Sequence, residues 1–241
     1  MTKLLHKLAK LFAMTSNKCM LCGVDIFDNA TGFCDRCIKK VSFNNGHTCL
    51  RCGTKIVSTQ SFCANCNFDT IYFDKAYSPF VYEGEVVKII HQVKFGGYAG
   101  LLDILANYVA FIVDKHKIKF DHVCYVPMTQ QSLEQRGYNQ AQLLAQQYCS
   151  LIGTMPLDVL VKKKQTQRQE QLGRAERKKN VDNAFAVVDK LQVKNKTILL
   201  LDDVKTTGAT LNNCAKALKK AGATSVICVT LASTPEQFVY E

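Results

Sequence analysis

Residues 197–211 read TILLLDDVKTTGATL. The stretch starts as a short apolar run, 198–201, bounded by polar residues. That is the pattern of a strand buried on both faces in a parallel sheet. Asp202 and Asp203 stand at its C-terminal end, and a hydroxyl-rich loop with one glycine follows. Residues 211–221 then carry a helical pattern that Gly222 ends. Strand, acid pair, Thr/Gly loop and helix in that order predict a polar site at the carboxyl end of a parallel sheet, where open α/β folds bind ligands.

The chemistry follows from the spacing. Thr206, Thr207 and Thr210 offer hydroxyls, and Gly208 lets the backbone turn and approach a ligand. The free N–H groups at the helix start, around Ala209, favour an anion, most simply a phosphate. Lys205 is expected to add a positive charge beside them. Asp202 and Asp203 can accept hydrogen bonds from sugar hydroxyls or help hold a hydrated divalent ion. Phosphate donors behind and hydroxyl acceptors in front suit a ribose 5-phosphate. A solvated strand–turn–helix is the plain alternative, and it leaves two adjacent carboxylates at a buried strand end without a reason. Other nucleotide motifs do not fit: the chain has no Gly-x-x-x-x-Gly-Lys-Ser/Thr loop, and no Gly-x-Gly-x-x-Gly follows a strand.

This stretch resembles the phosphoribosyl-pyrophosphate (PRPP) motif of type I phosphoribosyltransferases. The resemblance implies that Asp202 and Asp203 contact the ribose hydroxyls and serve as the catalytic pair. It also implies that Thr206, Thr207, Gly208, Ala209 and Thr210 hold the 5-phosphate, with Mg2+ accompanying PRPP. In an enzyme of that kind pyrophosphate is displaced at the anomeric carbon, with little side-chain acid–base work. None of the five histidines (6, 47, 91, 116, 122) has a catalytic neighbour in the sequence; His47, two residues before Cys49, is at most a minor zinc contact.

Working outward, the chain has 241 residues, 47% of them hydrophobic and 21% charged, enough for a sizeable core and unlike a disordered chain. The net charge is +11. Residues 161–180 hold eight Lys/Arg against Glu170 and Glu176, a local +6 that points to phosphate-bearing partners or to a solvated loop. No apolar run nears the ~20 residues of a membrane span. Residues 1–15 read as an amphipathic helix, with Leu4, Leu8, Leu11 and Phe12 on one face and lysines over the rest; packing on its own protein is favoured over a membrane or partner contact. The lysines interrupt it too often for a signal-peptide core, and the expected location is cytoplasmic.

Twelve cysteines carry the second signal. Eight form four Cys-x-x-Cys pairs: Cys19/Cys22, Cys34/Cys37, Cys49/Cys52 and Cys63/Cys66. Near-regular spacing reads as two tetrahedral four-cysteine zinc sites in a tandem repeat over residues 16–70. The assignment is Cys19, Cys22, Cys34 and Cys37 to one zinc, and Cys49, Cys52, Cys63 and Cys66 to the other, with a cross-braced pairing left open. Disulfides would need an oxidising compartment, and an iron–sulfur cluster matches the repeat less well than zinc. Cys124, Cys149, Cys214 and Cys228 lie in apolar patterns and read as buried thiols.

From residue 71 to 241 strands alternate with helices. Strands are expected over 75–82 (with Pro79 marking an edge or bend), 122–127, 157–161, 184–188 and 225–231, and helices over 85–94, 101–115 and 137–151. The expected fold is α/β, a mostly parallel sheet flanked by helices, behind a small N-terminal double zinc ribbon.

Two further segments extend the resemblance: Val126-Pro127 followed by Arg136-Gly137-Tyr138-Asn139-Gln140-Ala141, and Gln165-Thr166 through Arg174-Ala175-Glu176-Arg177 to Ala184-Phe185. With the two ribbons ahead of them, these look like the ComF family, from about Cys19 onward. That family couples a cysteine-rich zinc module to a phosphoribosyltransferase-type domain and is linked to natural competence. The resemblance implies a PRPP or phosphoribosyl ligand, with Arg136 left as the one cation of the segment that meets pyrophosphate. Residues 162–180 resemble a loop that closes over PRPP, with Arg168, Arg174 and Arg177 as phosphate contacts. It also implies single-stranded DNA or DNA-uptake proteins such as a helicase as partners, and leaves a dimer open. A nucleic-acid-binding protein that keeps a nucleotide pocket is the competing class: Lys94, Phe95 and Tyr98 could meet a single strand through phosphate contact and stacking. An active phosphoribosyltransferase of nucleotide salvage is the other alternative.

Overall fold

The computed structural model describes residues 18–27, 31–56, 59–95, 100–163 and 184–236. The expected helix over residues 1–15, Tyr98, most of the basic loop, and Arg168, Arg174 and Arg177 lie outside the described residues.

Two four-cysteine turns come first, each followed by a short helix: α1 (Asp35–Ile38) and α2 (Ala64–Phe68). The rest is β1 (Lys75–Tyr77), β2 (Phe80–Val81), α3 (Gly84–Phe95), α4 (Leu101–Lys115), β3 (His122–Tyr125), α5 (Gln130–Arg136), α6 (Gln140–Leu151), β4 (Leu160–Lys162), β5 (Phe185–Val187), β6 (Thr197–Lys205), α7 (Ala209–Lys220) and β7 (Ser225–Ser233).

β6 is the middle of the main sheet. β3 pairs with it on one side (Val123 opposite Leu199) and β7 on the other (Leu199 opposite Ile227), both parallel. β1 and β2 then pair with β7 in succession, Ala76 opposite Cys228 and Phe80 opposite Ala232. They are one edge strand broken at Ser78-Pro79, because proline has no N–H to give the ladder. β6 is buried from Ile198 to Asp203 without alternation, which requires cover on both faces. Helices α4 and α6 pack on each other and on β7, β6 and β3, while α7 packs over β5, β6 and β7.

Three expectations change. The strand does not stop before the acids: pairing of Val204 with Ala232 and Lys205 with Ser233 carries it to Lys205, so the acid pair lies inside β6. The stretch after Pro127 is not all loop. Thr129 caps it, its hydroxyl accepting from the Ser132 N–H at 3.2 Å, and α5 forms. The predicted strand over 157–161 joins the main sheet only through a bridge from Leu157 to Cys124; β4 pairs antiparallel with β5 in a separate ribbon.

The cysteine turns repeat each other bond for bond. Cys19 N–H donates to Val24 O at 2.8 Å and Gly23 N–H to Cys19 O at 2.9 Å; Cys49 N–H donates to Thr54 O at 2.8 Å and Gly53 N–H to Cys49 O at 2.9 Å. The pair docks on the broken edge strand. Asn44 N–H donates to Pro79 O, Val81 N–H to Ser42 O and Ala76 N–H to Arg51 O, each at 2.8 Å. Phe43, Phe80 and Tyr108 fill the seam, with ring centroids 5.4 Å and 4.6 Å apart along the chain of contacts.

The docking makes the two repeat glycines unequal. Both have positive φ, +70° at Gly23 and +65° at Gly53. A Cβ at Gly23 would meet nothing within 4 Å, whereas at Gly53 it would lie 2.5 Å from the Ala76 carbonyl oxygen. Gly23→Ala should therefore lose about 1–2 kcal/mol, the strain of an L-residue at positive φ. Gly53→Ala adds a clash with backbone and should lose about 3 kcal/mol or more. Urea unfolding of the zinc-loaded protein checks this, and equal losses would contradict the docked geometry.

Candidate functional site

The acid pair is buried, and donors from three elements converge on it. Asp203 Oδ2 lies 3.0 Å from the Lys94 ammonium, at the end of α3, and accepts from Gln140 Nε2, at the start of α6, at 3.0 Å. Its Oδ1 accepts from the Val204 N–H at 2.7 Å. Asp202 Oδ1 accepts from the Asp203 N–H at 2.9 Å. Burial first, and the Asp203 charge second, push the Asp202 carboxyl well above the usual carboxylate range; Lys94 opposes them. Gln140 is held in place from below: Asn139 caps α6, its Oδ1 accepting from the Ala141 N–H at 3.0 Å, and its Nδ2 donates to Val126 O at 3.1 Å.

Beyond β6 the chain turns through Thr206 and Thr207 to Gly208, which takes φ +83° and caps α7. Thr206, Thr207, Ala209 and Thr210 are exposed. The first N–H groups of α7 have no acceptor within the helix; that of Ala209 donates to the Thr207 hydroxyl at 3.3 Å, and the loop sets hydroxyls and amides just beyond the strand end.

Lys205 is placed differently from the expectation. It is buried, and its ammonium donates to the Thr54 hydroxyl of the second cysteine turn rather than standing free beside the loop. Its stem runs beneath Gly208, 3.8 Å from where a Cβ there would sit.

Arg136 stands at the mouth of a cleft of about 360 Å³ with Lys94, Phe95, Ser132, Gln135 and Tyr138. Its guanidinium donates to Gln140 Oε1 at 2.7 Å and lies 4.9 Å from the Phe95 ring centre. Arg136 thus reaches the acid pair through Gln140, while Lys94 reaches it directly. Sequence reading gave no role to Gln140, although it lies in the Asn139-Gln140-Ala141 run; the cap at Asn139 was its only local signal.

The cysteines gather as the sequential pairing requires. Cys19, Cys22, Cys34 and Cys37 bring their sulfurs within 4.8 Å of one another, and Cys49, Cys52, Cys63 and Cys66 do likewise. The cross-braced alternative is excluded by this grouping. Four sulfurs at this spacing fit a tetrahedral zinc. Backbone N–H groups, that of Cys34 foremost, outweigh burial and hold the Cys19 thiol down at about 6, while burial pushes Cys37 up to about 12. A dication lets all four ionise together. The second tetrad is wholly buried; in the first, Cys22 is exposed and Cys34 half-buried. His47 stays outside the second tetrad, with Nε2 2.9 Å from Gln60 O. Among the described residues only these two tetrads gather three or more metal-ligating side chains. Cys124, Cys149, Cys214 and Cys228 are buried as expected.

Comparison with known proteins agrees with this division. The phosphoribosyl transferase domain family matches residues 132–238, and the double zinc ribbon domain family matches residues 11–67. Competence protein F of Haemophilus influenzae is 30% identical over 212 residues, 85% of this chain and 92% of its own length. DNA utilization protein YhgH of Escherichia coli K12 is 25% identical over 223 residues, 88% of this chain and 97% of its own. Competence protein ComFC of Bacillus subtilis is 26% identical over 210 residues, 82% of each chain.

The raised Asp202 carboxyl makes a stability prediction with a definite sign. A carboxyl with a raised value binds its proton more tightly folded than unfolded. Its stabilising share is therefore present in acid and is lost as pH rises from the unfolded value through the folded one. Above the unfolded value the buried Asp202 carboxyl is therefore a cost to the fold. Asp202→Asn keeps an oxygen for the Asp203 N–H and removes that cost, so it should stabilise the protein at pH 7 by about 1 kcal/mol, the usual size of one relieved functional-site strain. The gain should shrink toward pH 4. Urea unfolding at the two pH values reads it.

Proposed function

The chain belongs to the competence protein F (ComF) family, and from that premise we propose that its α/β domain binds PRPP or a closely related phosphoribosyl ligand in a protein serving DNA uptake. One observation carries the reading: two buried carboxylates lie within the last paired residues of a central parallel strand, and an exposed Thr/Gly loop beyond its end opens a helix. The loop amides and the hydroxyls of Thr206, Thr207 and Thr210 take the 5-phosphate, with Gly208 supplying the left-handed turn. Asp202 and Asp203 take the ribose hydroxyls. Lys94 and Arg136 line the neighbouring cleft and face the diphosphate, where a planar guanidinium suits phosphate oxygens. Mg2+ bound with the ligand would neutralise charge on the diphosphate. Gln140 and Lys94 keep the Asp203 carboxylate oriented. The two cysteine tetrads each hold a structural zinc. Turnover with an acceptor base would make the protein a phosphoribosyltransferase; release of pyrophosphate in a screen of bases reads that directly.

The role in DNA uptake rests on the names of the relatives and on charge. Arg36, Lys39 and Lys40 surround the exposed Cys22 in a cleft whose lining, among the described residues, holds no acidic side chain. That surface suits a nucleic-acid backbone.

Titration calorimetry with Mg2+–PRPP should show binding to the zinc-loaded wild type and a loss of about 100-fold or more in Asp202→Asn/Asp203→Asn, since hydrogen bonds to charged groups contribute about 1.5–3 kcal/mol each. No binding to the wild type sinks the assignment. On the other surface, Arg36→Glu/Lys39→Glu/Lys40→Glu should lower affinity for single-stranded DNA and reduce the salt slope by about 2, at about 0.7 per phosphate contact. An unchanged slope would remove that surface from any DNA path.

A further inference from the structure

The second ribbon is bonded to the α/β domain at Arg51, Thr54 and Lys55, in and beside its zinc turn. Arg51 O accepts from the Ala76 N–H at 2.8 Å. Gly53 packs directly on the Ala76 carbonyl, and its own carbonyl accepts from Asn44 Nδ2 at 2.8 Å, a side chain that also donates to Ser78 O at 3.2 Å. Thr54 receives the Lys205 ammonium. Lys55 O accepts from the Glu236 N–H at 2.9 Å, and the Glu236 carboxylate returns to the Ala64 N–H beside Cys63 at 2.9 Å. The first ribbon shows no comparable strip at its own zinc turn among the described residues.

The Thr54–Lys205 contact joins two sites. On one side, the Thr54 carbonyl accepts from the Cys49 N–H at 2.8 Å, so this residue closes the turn that carries two zinc thiolates. On the other, Lys205 is the last residue of β6, next to Thr206, and its stem lies under the left-handed Gly208. An amine on a lysine that is 3% exposed needs a hydrogen-bond partner inside the protein, and here that partner belongs to the other module.

We propose that Thr54 is a positioning residue for the phosphate loop, acting through Lys205, so that zinc in the second tetrad and a 5-phosphate on residues 206–210 strengthen each other's binding. This rests on the phosphoribosyl reading of the loop. Zinc fixes the turn, the turn fixes the lysine, and the lysine stem fixes the floor on which Gly208 turns. By linkage the effect runs both ways: a ligand that demands the ordered loop must also hold the second zinc. The first zinc, which is reached through the exposed Cys22, stands outside this coupling.

The test follows zinc release from the full zinc-loaded chain. Excess chelator is added with and without ribose 5-phosphate, a metal-sensitive dye records release, and calorimetry records ribose 5-phosphate binding. Two phases are expected. The fast one, from the first tetrad, should ignore the sugar phosphate; the slow one should be slowed about tenfold, a typical coupling between sites. Thr54→Val, which is isosteric and lacks the hydroxyl, should keep both zinc ions but lose that protection and bind ribose 5-phosphate about tenfold more weakly; Thr54→Ser should restore both. Wild-type protein that binds ribose 5-phosphate yet releases its slow zinc at an unchanged rate overturns the coupling and leaves the site standing. Wild-type protein that binds no ribose 5-phosphate overturns both. The wild-type comparison needs no variant, so an unstable Thr54→Val would not blunt it.

Discussion

Two neighbouring carboxylates can be buried at the end of a strand only if donors are brought to them. Asp202 and Asp203 impose that demand here, and much of the α/β domain answers it. α3 runs long enough to deliver the Lys94 ammonium at its last turn, and α6 starts where Gln140 can donate to the same oxygen. Asn139 fixes that start, tied back to Val126 at the end of β3. Even with these donors burial and the neighbouring Asp203 keep the Asp202 carboxyl raised, so the pair stands at a cost to the fold.

The legible parts were those whose signal is local. An apolar run without alternation, Ile198 to Leu201, showed a doubly covered strand, and a glycine after two threonines marked the left-handed turn at Gly208. Four Cys-x-x-Cys pairs showed two tetrads, although only the fold could choose between sequential and crossed grouping. Contacts between distant elements had no such signal. Gln140 meets Asp203 across 63 positions of chain, and Lys205 meets Thr54 across 151. The lysine was therefore read by its neighbours in sequence, as a cation beside a phosphate loop, when its stem lies beneath Gly208 and its ammonium turns away to Thr54. α5 was missed because Gln130 to Arg136 shows no apolar face: none of its residues is buried, and only the Thr129 cap announces it.

Repetition and docking together explain why two equal modules are unequal. The backbone bonds around Cys19–Gly23 and Cys49–Gly53 are the same, so each turn is a local solution to holding two thiolates. What differs is what lies outside. The second turn is pressed on Ala76 and all four of its tetrad's cysteines are buried; the first turns Cys22 and three nearby cations, Arg36, Lys39 and Lys40, outward. One copy of the repeat has become part of the domain's frame while the other remains a surface.

The broken strand formed by β1 and β2 has one more consequence. It is the last strand on its side of the main sheet, and an uncovered last strand offers its free amides and carbonyls to any passing chain. In this protein Ser42, Asn44 and Arg51 take up those groups at Val81, Pro79 and Ala76. Sealing of the sheet border is thus entrusted to a module held together by metal rather than by a core of its own. Zinc starvation in such a molecule would do more than loosen an appendage: it would uncover a template for intermolecular strand pairing, and the metal supply would set how much of the protein stays monodisperse.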